Sequence, residues 1–190
     1  KWRVVSLVAK FNNTNAWLSN FSNRIVKLLK IELGRNRIRK YKSGSVNSPI
    51  NSSGSLSKSL DVISSKSNNA FGYPIKGNSY GQGVDEGVKV APPVGELIEW
   101  IRSKPVKLKD RSGSFVKLTD MKIAQVAKNI QKSIGKIGTQ PTNFIDDAID
   151  KAMSRINSIE EPAYKDMEMN IDEIMIKAGY TKEGDNYIIK

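Results

Sequence analysis

Apolar positions step through this chain at helical spacing in several blocks, and the blocks are separated by stretches rich in Ser, Asn, Gly and Pro. Over residues 14–42 the spacing of Leu18, Phe21, Ile25, Leu28 and Glu32, widened by Trp17, Leu29 and Ile31, predicts one long helix, with Thr14 as its N-cap and Gly34 as a stop or weak point. Before it, Trp2 to Phe11 reads as a strand or an earlier helical turn. Residues 43–59 turn to small polar residues and are expected to form a mobile loop or arm, most of it within 43–55. Two short apolar segments follow, Leu56 to Ile63 and Ala70 to Ile75, split by the polar run Ser64 to Asn69, which predicts a β-hairpin.

The second half is more regular. Pro92-Pro93 precedes a short helix carrying Val94, Leu97, Ile98 and Ile101 on one face with Trp100 beside it, and Pro105 ends it. Thr119 is placed to cap a helix in which Ile123, Ala127, Ile130, Ile134 and Ile137 alternate steps of 4 and 3, with Gly138 past its end. Thr142 is expected to cap the next helix, which carries Ile145, Ala148, Ile149, Ala152 and Ile156, while Asp146 and Asp147 suit its first turn. A last helical unit, Asn170 to Ala178, ends at Gly179. Gly184-Asp185-Asn186 then turns a small terminal hairpin. The class these elements predict is α+β: a long N-terminal helix, a small antiparallel hairpin packed by about three helices, and a C-terminal helix with a hairpin.

Composition removes several chemistries. The 190 residues include no Cys and no His, so thiolate and imidazole metal sites, thiol redox chemistry and Ser-His-Asp catalysis are outside its reach. The candidates for carboxylate chemistry are the adjacent pairs Asp85-Glu86 and Asp146-Asp147. Neighbouring carboxylates on a helix project apart and do not form a facing catalytic pair, and the second pair is explained by the helix dipole. No catalytic residue, cofactor or metal is expected. No run of about 18 apolar residues is present and no charged-then-apolar segment opens the chain, so neither a membrane partner nor a secretory address is expected.

The formal charge of +12 is unevenly spread: +10 lies in residues 1–50, −1 in 51–100, +5 in 101–150 and −2 in 151–190. Arg35, Arg37, Arg39, Lys40 and Lys42 form its densest run. They are candidates for contact with DNA or an acidic partner, against the alternative of a solvated helix end. A free nucleic-acid-binding protein using this N-terminal basic helix is therefore one reading of the chain. The glycines between 77 and 87 match neither a dinucleotide fingerprint nor a P-loop, and read as backbone turns.

Four pieces in order carry a family resemblance: Gly54-Ser-Leu-Ser-Lys-Ser59; Tyr80-Gly-Gln-Gly-Val-Asp-Glu-Gly87; Pro92-Pro93 followed by Leu97-Ile-Glu-Trp-Ile-Arg-Ser-Lys104; and Ile123-Ala124 through Ile130, Ile134, Gly138-Thr139, Pro141 and Phe144. Over residues 14–156 the chain resembles the neck and tail-completion proteins at the head-to-tail joint of tailed bacteriophages. The first piece looks like the opening of a strand in that family. The resemblance implies a structural virion protein, a head-tail connector that forms a homo-oligomeric ring of 6 or 12 copies. Such a ring would join portal or adaptor to tail proteins while genome DNA passes through its channel. It would be located in the virion, and in host cytoplasm during assembly. Residues 1–156 would then form the neck-like domain and 157–190 an extension without a counterpart. Trp17, Tyr80, Trp100 and Phe144 are the candidate subunit or partner contacts, weighed against plain packing for Trp100 and a helix-helix corner for Phe144.

Overall fold

The computed structural model describes residues 9–41, 44–51, 54–63, 72–103, 108–109 and 112–189. The fold is α+β, as the periodicities predict. Seven α-helices, a 3-10 turn and four two-stranded antiparallel ladders are present among the described residues. The first helix, α1 (Asn12–Gly34), stops at Gly34, and Arg35 turns into extended backbone. Here the expectation of a single helix to residue 42 is corrected. Asn36–Tyr41 form strand β1 and pair with β2 (Gly44–Pro49), from Asn36 opposite Pro49 to Tyr41 opposite Gly44. The expected loop over 43–55 is corrected with it, since 44–49 are strand. The ladder returns the chain to the helix end, where the Asn51 N–H donates to the Leu33 carbonyl at 2.9 Å. A carbonyl that Gly34 leaves without a following turn is thereby satisfied.

Gly54–Ser59, the piece likened to a strand opening, holds the short helix α2 (Ser55–Ser59) instead. The predicted hairpin exists in reduced form as β3 (Asp61–Val62) on β4 (Ile75–Lys76), with Leu56 in α2 rather than in a strand. Its turn, with Ala70 and Phe71, lies outside the described residues, as do Trp2 to Val8, Lys42 and Pro105. Then come α3 (Gly81–Glu86), α4 (Val94–Ser103), the ladder of β5 (Leu108–Lys109) on β6 (Phe115–Val116), α5 (Asp120–Ile137), α6 (Phe144–Met153), a 3-10 turn (Ile156–Ile159), α7 (Glu160–Lys177) and the terminal ladder of β7 (Tyr180–Glu183) on β8 (Asn186–Ile189). The last helix begins at Glu160, ten residues before the expected Asn170.

Two apolar clusters hold these elements. One joins Val26, Leu29 and Leu33 of α1 to Leu56, Leu60, and Phe144 and Ala148 of α6. The other joins Leu97 and Ile101 of α4 to Ile123 and Ala127 of α5. The buried stripe of α1 is displaced about one residue from the predicted one, and Ile31 is exposed. The chain between the clusters is fastened by the Thr139 N–H to the Val88 carbonyl at 2.8 Å, the Val88 N–H to Thr139 Oγ1 at 2.9 Å, and Gln131 Nε2 to the Pro92 carbonyl at 3.0 Å. Among the described residues no helix is long and apolar enough to cross a membrane.

Candidate functional site

Glu32 occupies an apolar-face position of α1 by spacing, and it is buried, with 1% of its surface exposed. A carboxylate there must be paired, because burying an isolated charge costs several kcal/mol. Three cations supply the pairing. Arg37, the second residue of β1, places Nη2 2.8 Å from Glu32 Oε2; Lys151 of α6 donates to Oε1; Arg35 lies 3.7 Å away. Burial pushes the Glu32 carboxyl up, but the Lys151 hydrogen bond and the charges of Lys151, Arg35 and Arg37 more than offset this and hold it below its usual range. Arg37 spans further, to Asp147 through Nη2 and to the Thr142 carbonyl through Nη1 at 2.6 Å. Beside it a cleft of about 430 Å³ is lined by Arg35 to Ile38 and by Gln140 to Asn143.

This geometry reassigns part of the basic run. Arg37 is committed to ion pairs inside the chain, its guanidinium joining the ends of α1 and α6. The stretch is a strand, so the helix of the nucleic-acid reading is absent at 36–41. Arg35 is largely exposed, Arg39 and Lys40 belong to β1, and Lys42 lies outside the described residues.

The aromatic candidates separate in the same way. Phe144 is 1% exposed and centres the first cluster, so its ring packs the corner where α6 begins and is not a surface contact. Trp17 stacks on Phe21 with centroids 4.7 Å apart and donates its indole N–H to Ser158 Oγ at 3.0 Å, in the wall of a second groove of about 370 Å³ between α1 and the start of α7. Tyr80, at the head of α3, and Trp100, on α4, both remain partly exposed.

Two carboxylates that sequence reasoning left without such a role organise helix ends at long range. Asp85 accepts the Ile145 N–H of α6 at 2.9 Å through Oδ1, and its own carbonyl accepts the N–H groups of Thr142 and Asn143. It thereby performs the capping expected of Thr142, whose hydroxyl instead donates to the Val84 carbonyl; the residue before α6 is Asn143, in left-handed conformation. Asp166 of α7 accepts the backbone N–H groups of Asn13 at 3.0 Å and Thr14 at 2.7 Å. Thr14 therefore sits inside the first turn and does not cap it. The only local hint of the Asp85 arrangement is Gly87 two residues on, whose φ of +76° and close approach to the Thr139–Pro141 backbone exclude a side chain.

The face of α7 turned to the N-terminal segment is polar. Asp166 holds α1, Asn170 exchanges hydrogen bonds with the backbone of Lys10, and Glu173 pairs with the Lys10 ammonium at 3.2 Å. On another side Tyr164, Met167, Ile171 and Ile174 step by 3, 4 and 3 and are 70%, 53%, 48% and 43% exposed. A helix of a folded domain ordinarily turns its apolar stripe to the core, and this row on α7 is instead left outside. No family model matches the chain, and neither a curated protein nor a solved structure shows significant similarity to it.

Proposed function

We infer that this chain is a structural assembly protein whose copies associate through surfaces the isolated chain leaves apolar. The observation that carries the reading is the α7 stripe. Four large apolar side chains in a 3-4-3 row form the seam that a second helix packs against. The inward face of the same helix is already occupied by charged and amide contacts to α1 and Lys10, so rotation to bury the stripe would break them.

The resemblance carried by the motifs within residues 54–144 supports one such assembly, a ring at the neck of a tailed phage joining portal or adaptor to tail. Head-to-tail contacts close into such rings when the rotation between copies permits. Deleting the gene from the encoding phage is expected to leave filled heads and separate tails. Complementation with a Tyr164→Ser, Ile171→Ser, Ile174→Ser chain is expected to leave the same unjoined particles, although the variant folds. Normal infectious particles from the deletion overturn the reading.

A further inference from the structure

Among the described residues, several cations that make no ion pair lie together on α5. Along α5, Lys122, Lys128, Lys132 and Lys136 share one exposed face with Gln125, Asn129 and Ser133. At 100° per residue these seven positions fall within an arc of about 140°. None of the four lysines makes an ion pair among the described residues. The one acid of the helix, Asp120, precedes them and is engaged by Arg102 at 2.8 Å. The opposite face carries Ile123 and Ala127 into the second cluster, so the register of α5 is held by its core and the lysines are held outward with it. By contrast, Arg37 and Lys151 are consumed by Glu32, and Lys165, Lys177 and Lys182 by acids of α7.

We propose that this face of α5 is a binding surface for duplex DNA, contacting phosphates without reading sequence. The row from Lys122 to Lys136 is about 21 Å long at 1.5 Å per residue, straight, and unbroken by acid. Four ammonium groups spaced along a rod match a linear polyanion. Lysines act as point charges without the bidentate geometry that selects carboxylates or guanine edges. Between them stand amides and a hydroxyl, which donate to phosphate oxygens; an acidic protein interface would instead centre on apolar anchors. The surface is distinct from the α7 stripe, and the proposal stands whether or not the chain forms a ring.

The test is a titration of the full chain against an arbitrary duplex of about 30 base pairs at several salt concentrations. Four phosphate contacts predict a log-log salt slope of about −3.6, an affinity loss of about 150-fold between 50 and 200 mM salt. A Lys128→Gln, Lys132→Gln chain, with helicity and melting checked, is expected to halve the slope to about −1.8, cutting that loss to about 12-fold. A Lys27→Gln, Lys30→Gln chain removes the same charge from exposed positions of α1 and is expected to keep the parental slope. Equal slopes in all three proteins overturn the proposal, as does absence of duplex binding at 50 mM salt. Binding of polyglutamate in place of the duplex overturns it in favour of an acidic protein partner.

Discussion

Asp166 holds the first N–H groups of a helix that begins more than 150 residues earlier in the chain. Burial alone would raise its carboxyl, but the N–H groups of Thr14 and Asn13 and the Asn13 amide hold it below the ordinary value of 3.8. A carboxyl lowered by folding stabilises the protein fully above its unfolded value, and that contribution fades as pH falls through the folded one. Glu32 acts in the same direction from its ordinary value of 4.5. Melting temperature is therefore expected to be flat from neutral pH down to about 5 with respect to these two groups, then to fall. Asp166→Asn, which puts an amide N–H against a backbone N–H, is expected to cost about 2 kcal/mol at neutral pH and to soften the acid decline; denaturant titration at two pH values checks both. At Gly87 a Cβ would lie 2.5 Å from the Thr139 carbonyl oxygen at a φ of +76°, so Gly87→Ala is expected to lower stability by more than about 2 kcal/mol in the same assay.

Among the elements, those whose signals are local were legible. Thr119 Oγ accepts the Lys122 N–H, Gly138 leaves α5 at φ +80°, and Gly184 with Asp185 turns β7 into β8, all as the residues imply. The strand over 36–41 was not, because β1 is stabilised by pairing with a Ser/Asn-rich partner whose composition reads as loop. At the start of α6 the local signal is overridden for a related reason: Thr142 is the natural local cap, yet Asp85, 60 residues away from Ile145, reaches the free N–H first. Asp85→Ala is expected to cost about 1–2 kcal/mol. Hydrogen exchange should quicken at Ile145 ahead of the middle of α6, and unchanged exchange there would refute the long-range cap.

For the molecule as a whole, the two apolar clusters share none of their buried residues, and the Val88–Thr139 hydrogen bonds tie together the two chain segments that run between them. Native-state hydrogen exchange is expected to show the inner amides of α4 and α5 opening together, at lower free energy than those of α1 and α6 around Leu33 and Phe144. One common opening energy for all four helices would contradict two units. The sequence by itself determined the α+β class, most helix positions and the polarity of charge, because helical periodicity and composition are properties of neighbours a few residues apart. Only tertiary structure decided that Glu32 is buried among cations, that Arg37 is spent on it, that Asp85 and Asp166 cap distant helices, and which faces of α5 and α7 remain outside. Those outcomes depend on partners 3 to more than 150 residues away. Residue type states what a side chain needs, and only the packed chain states what supplies it.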